Sequence, residues 1–117
     1  LLINKGNLNF TLQELPWEAQ FTPYKDAVVV NANDDDLPDI LLVGNYYENN
    51  TQMGRYDADF GTILLNKGHG NFSVESLNGL QITGQARHIQ KISIGGRQSF
   101  IIARNNDSAR VMRFKDQ

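Results

Sequence analysis

Residues 31 to 39 read Asn31-Ala32-Asn33-Asp34-Asp35-Asp36-Leu37-Pro38-Asp39. Side-chain oxygens at the alternate positions 31, 33 and 35 can wrap around one cation, and the Leu37 carbonyl and the Asp39 carboxylate can close the shell. An all-oxygen donor set in a loop suits Ca²⁺, which takes six to eight such ligands, whereas Mg²⁺ demands stricter octahedral geometry. The run offers neither thiolate nor imidazole, so zinc and copper are poor candidates. The competing reading is a plain turn, because Asn and Asp side chains hydrogen-bond to their own nearby backbone.

Other chemistry is sparser. The stretch Tyr46–Phe60 contains Gly54-Arg55-Tyr56-Asp57-Ala58-Asp59. A long polar insertion bearing aromatic residues is a natural place for a binding surface, so Arg55, Tyr56, Asp57 and Asp59 form a candidate binding loop. The acids there could hold a second cation or act as a carboxylate pair; equally, these residues could tie the loop to its own sheet. His69 falls in a turn and reads as solvent-exposed, while His88, beside Arg87 in a strand, reads as structural. No Ser/His/Asp set can be assembled from spacing alone, and no phosphate-cradling Gly motif precedes a helix.

These residues need elements to hold them, and the elements are strands. Runs rich in β-branched and aromatic residues place strands near 1–4, 9–15, 26–31, 39–44, 61–66, 71–77, 87–94, 98–104 and 109–114. No window of helical length carries a sustained 3.6-residue apolar period. Prolines 16, 23 and 38 fall between strands, where a missing N–H costs no ladder bond. The chain is predicted to be all-β.

A repeat organises them. Leu1–Leu15 aligns without a gap on Ile63–Leu77, with identities at Leu2/Leu64, Asn4/Asn66, Lys5/Lys67, Gly6/Gly68, Asn9/Asn71, Phe10/Phe72 and Leu15/Leu77. Each copy reads as strand, tight Asn/Gly turn, strand. The offset of 62 residues (position 2 to position 64) exceeds the usual propeller blade of about 40–50 residues by roughly the length of the 46–60 insertion. The expected architecture is a partial β-propeller of four-stranded antiparallel blades: the end of one blade at 1–15, a complete blade at 26–77, and an incomplete blade at 86–114.

The loop and the repeat together resemble the FG-GAP or VCBS repeat family, whose blades carry a D-x-D/N-x-D-G-x-x-D calcium loop. Asn31, Asn33, Asp35 and Asp39 occupy its ligand positions, and Asn4-Lys5-Gly6 with Asn9-Phe10, and Asn66-Lys67-Gly68 with Asn71-Phe72, are similar to its N-x-G-x-G-x-F segment. The resemblance covers 1–77 well and 86–114 weakly. Its closest look is to bacterial, cartilage-acidic-protein-like VCBS proteins, at the C-terminal end of such a chain. It implies one bound Ca²⁺, an extracellular, cell-surface or periplasmic location, and a non-catalytic module that binds a protein or glycan. The alternatives are a polysaccharide-acting enzyme using acids from 46–60 with Arg87 or His88, and a purely structural scaffold segment. Two departures bear on the loop: Asn31 stands where the family has Asp, and Asp36 where it has Gly. In the third unit Ile94-Gly95-Gly96-Arg97-Gln98-Ser99 replaces the calcium loop, so that unit is expected to bind no metal.

Bulk properties exclude some classes. With 40% hydrophobic and 21% charged residues the chain has a folded protein's composition. A net charge of −2 supplies no broad basic field for nucleic acid. Without cysteine there is no disulfide framework and no thiolate metal site. Apolar runs of about five residues are far short of the roughly 20 that span a bilayer as a helix. The chain opens inside a strand without an initiator Met, which points to a piece of a longer protein, whose remaining blades, or further copies of the chain, would be its partners.

Overall fold

The computed structural model describes residues 1–20, 23–44, 61–76 and 82–114. The candidate loop residues Arg55, Tyr56, Asp57 and Asp59 lie outside them. Among the described residues nine strands form three antiparallel sheets, each built from strands consecutive in sequence. The first sheet is a hairpin of β1 (Leu2–Gly6) and β2 (Asn9–Leu12). The second has four strands in the order β3 (Asp26–Val30), β4 (Asp39–Val43), β5 (Thr62–Asn66) and β6 (Phe72–Ser76). The third joins β7 (Ala86–Ile94), β8 (Arg97–Arg104) and β9 (Arg110–Met112). None of the three closes on itself.

The strand expected over 9–15 stops at Leu12. Pro16 cannot donate to a ladder, and its carbonyl accepts the Ala19 N–H at 3.0 Å to start a single 3₁₀ turn, Trp17–Gln20.

Burial follows from the two-residue period of strands. In the register of the second sheet, Leu41 stands opposite Ile63 on β5 and Val28 on β3, so these side chains share a face. That face, with Val30, Val43 and Leu65, packs against Ala86, Ile89, Phe100, Ile102 and Met112 of the third sheet to form the core. Phe100 is fully buried and meets Phe114 edge-to-face at 5.7 Å, the geometry the ring quadrupoles favour.

Polar contacts pin the second and third sheets together. The Ala86 N–H donates to the Gly44 carbonyl at 2.9 Å. Gly44 must lack a side chain, because a Cβ there would lie 2.7 Å from the Pro23 carbonyl oxygen. Asp26, at the start of β3, accepts the Ala27 N–H on one carboxylate oxygen and the Ile89 N–H of β7 on the other, and the latter oxygen also contacts His88 Nδ1. At the far end of the third sheet Arg104, its side chain 4% exposed, donates to the Thr83 and Ser108 carbonyls and pairs with Asp107 at 2.7 Å.

The two repeat copies fold alike. Asn4 Oδ1 accepts the Gly6 N–H at 2.8 Å, and Asn66 Oδ1 accepts the Gly68 N–H at 2.9 Å. Both turns run through left-handed backbone, at Gly6-Asn7-Leu8 and at Gly68-His69-Gly70. Gly70 lies at φ 80°, where L side chains are strained, and a Cβ there would push only on the tip of the Ile3 side chain, 2.7 Å away at Cδ1.

Candidate metal loop

The loop spans the eight residues between Val30 and Asp39, and Asp39 closes its base. Asp39 is the first residue of β4 and is fully buried. One of its carboxylate oxygens accepts the Ala32 N–H and the other the Asn66 N–H, both at 2.8 Å. Asn66 returns the contact by donating its amide to the Pro38 carbonyl at 3.1 Å. The Asn-Lys-Gly turn of the repeat is thereby fastened to the oxygen-rich loop, two motifs that sequence spacing sets 27 residues apart.

Above this bracket the loop turns tightly. Asp34 and Asp36 have φ of 56° and 61°, a conformation Asp tolerates better than most residues. Position 36 thus takes the left-handed shape for which glycine is the usual residue. The inversions at 34 and 36 flank Asp35, whose side chain folds back over the loop. Its Oδ1 accepts the Leu37 N–H at 3.0 Å and its Oδ2 accepts the Asn33 amide at 2.8 Å. The Leu37 N–H first, then the Asn33 amide, hold the Asp35 carboxyl below its ordinary value, with a smaller favourable field from Lys67.

Of the five expected ligands, the structure brings Asn33 and Asp35 into direct contact, both exposed to solvent. Leu37 is bonded to Asp35 through its N–H. Asn31 stands half-buried where the loop leaves β3. Asp39 lies beneath, engaged with backbone. Among the described residues no three His, Cys, Asp or Glu side chains gather closely enough to hold a metal by themselves. A cation here would need the oxygens of Asn31, Asn33 and Leu37 alongside those of Asp35 and Asp39. That set matches the oxygen-only preference of Ca²⁺, and each carboxylate oxygen of Asp39 has a second lone pair beyond the one its N–H partner uses.

The remaining sequence-selected residues are placed as follows. His69 is exposed in the β5–β6 turn, and Gly95 and Gly96 form the β7–β8 turn in left-handed backbone. Arg87 donates to Gln85 at 3.0 Å, and His88 is the partner of Asp26. Asp26 escaped sequence reasoning: a single acid at a strand start carries no local sign of a contact 63 residues away. Burial works against its ionisation, but the N–H groups of Ile89 and Ala27 and the neighbouring His88 outweigh it, holding the carboxyl below its ordinary value.

The fold and the loop define an all-β protein of sequential antiparallel sheets with an oxygen-rich connection between the first two strands of its four-stranded sheet. Compared with family models, curated proteins and solved structures, the chain matches none of them. No helix among the described residues is long and apolar enough to cross a membrane.

Proposed function

We propose that this chain is a non-catalytic binding module of the β-propeller class, and that its β3–β4 loop takes up one Ca²⁺ for structural stability. The observation that carries the reading is the joined pair Asn33–Asp35 above the buried Asp39 bracket. Asn31, Asn33, Asp35, Asp39 and the Leu37 carbonyl would hold the ion, which would supply positive charge to a loop that otherwise places four acids within six residues. The propeller assignment is supported by the succession of sheets built from neighbouring strands and by two copies of one hairpin with the same Asn–Gly turn bond. Membership of the FG-GAP/VCBS repeat family, export to a cell surface, and recognition of a protein or glycan through residues 46–60 belong to the same proposal and rest on the sequence motifs.

The test is calcium-dependent stability. An ion that binds only the folded state stabilises it by RT ln(1 + [L]/Kd), about 2.7 kcal/mol at one hundred times Kd. The melting temperature is therefore expected to climb with added Ca²⁺ and to fall with chelator, and Asp35→Ala should flatten that dependence. A melting curve indifferent to millimolar Ca²⁺ in the parent chain would end the proposal.

A further inference from the structure

Two lysines from outside the β3–β4 loop stand against it. The first is Lys67, in the Asn-Lys-Gly turn between β5 and β6. Its neighbour Asn66 donates its N–H to Asp39 at 2.8 Å and its amide to the Pro38 carbonyl at 3.1 Å, and the Lys67 N–H donates to the Asn71 carbonyl at 2.8 Å. These bonds hold the turn, and the lysine on it, against the base of the loop. Lys67 is exposed and enters no ion pair among the described residues, and its charge is felt at the Asp35 carboxylate.

The second is Lys91, on β7 of the third sheet. Its register partner is Phe100, which points into the core, so the Lys91 side chain leaves β7 on the side that packs against the second sheet. Lys91 is exposed and lines a groove of about 540 Å³, whose other wall carries Asp34, Asp36 and Leu37 of the loop. The loop's acids, Asp34, Asp35, Asp36 and Asp39, are thus met by one ammonium group from their own sheet and one from the next.

The repeat supplies a comparison inside the chain. Lys5 takes the place of Lys67 in the first hairpin, in a turn closed by the same Asn–Gly bond. Among the described residues that turn is bonded to no aspartate. A lysine in this turn is common to both copies, whereas a lysine fastened over an acidic loop belongs to one.

We propose that Lys67 and Lys91 set the affinity of the loop for its cation. They are tethered counter-charges that offset the loop acids when no metal is bound and repel a divalent ion as it enters. Their role rests on the calcium uptake proposed above and adds to it two residues, outside the ligand set, that weaken binding. Removing a unit charge that faces a divalent ion across a solvent-exposed path should tighten binding by about three- to tenfold. The two lysines belong to different sheets, so their effects should multiply.

The experiment is calorimetric titration of the metal-free 117-residue chain with CaCl₂ at low ionic strength, with circular dichroism as the check on folding. Lys67→Met and Lys91→Met delete the charge without adding an oxygen donor. Each should tighten Ca²⁺ binding about three- to tenfold, and the double variant by about tenfold or more. Lys67→Arg, which keeps the charge, should bind as the parent does. Lys5→Met makes the same change in net charge away from the loop and should stay within about twofold of the parent. At about 1 M KCl, where screening acts within about 3 Å, the gains should vanish. Both side chains are exposed, so folding should survive; should a methionine variant misfold, glutamine at that position replaces it. Uptake by the methionine variants alone, with none by the parent, would support the proposal. A parent chain that binds Ca²⁺ while either methionine variant matches Lys5→Met would overturn it and leave the calcium reading standing. No uptake by the parent or by any variant would overturn both.

Discussion

Asp39→Ala probes the bracket beneath the loop. The substitution removes the acceptor of two backbone N–H groups, those of Ala32 and Asn66, each now held at 2.8 Å by a fully buried carboxylate. A hydrogen bond to a charged group contributes about 1.5–3 kcal/mol, so the pair accounts for about 3–6 kcal/mol. That is a large part of the 5–15 kcal/mol that typically holds a domain together. Asp39→Asn keeps one acceptor oxygen and turns an amide toward the other N–H, so its cost should be smaller, about half. The assay is urea unfolding with chelator present, which separates the backbone bracket from any metal. With a slope near 1.5 kcal/mol per molar urea, the alanine variant's midpoint should fall by about 2 M or more at unchanged slope. Hydrogen exchange should lose protection at the Ala32 and Asn66 amides before the core strands. A loss below about 1 kcal/mol for the alanine variant, or equal losses for the two variants, would refute the reasoning.

Other expectations follow from single features. Asp26 is held below its ordinary value by its partners, so the stability it contributes is complete above the unfolded value near pH 4 and is lost as pH falls through the lower folded value. The stability gap between the parent chain and Asp26→Asn should accordingly narrow below about pH 4 in acid-unfolding curves, and a gap constant from neutral to acid pH would contradict the assignment. Leu8 holds φ of 61° while 91% exposed, where its repeat equivalent is Gly70; Leu8→Gly should stabilise by about 0.5–1 kcal/mol in urea. Gly84 sits at φ 89° with the site of a Cβ 3.3 Å from Arg104 Nη1. Gly84→Ala should cost about 1–3 kcal/mol by the same assay. Phe100→Ala, at a fully buried ring, should cost about 3–5 kcal/mol.

Much of the architecture was legible because strands announce themselves locally. Ala27–Val30, Ile40–Val43 and Phe100–Ile102 combine β-branched or aromatic residues with turn residues on both sides, and each lies in a strand. The Asn-x-Gly turns could be located because left-handed backbone selects Gly and Asn. The single 3₁₀ turn at Trp17–Gln20 could not be, since four residues carry no helical period. In the loop, alternation marked Asn31, Asn33 and Asp35, but the double engagement of Asp39 depends on Asn66 arriving from another strand. Long-range pairs of single polar groups, such as Asp26 with Ile89 and His88, have no signature of spacing or composition.

The most direct test of the proposed calcium uptake at the β3–β4 loop follows the backbone amides of ¹⁵N-labelled chain by NMR during a Ca²⁺ titration. Shifts should be confined to Ala32–Asp39 and the adjoining Asn66, saturate at one ion per chain and vanish in Asp35→Ala. Unmoved loop amides at millimolar Ca²⁺, or shifts that arise elsewhere and leave residues 31–39 untouched, would contradict it.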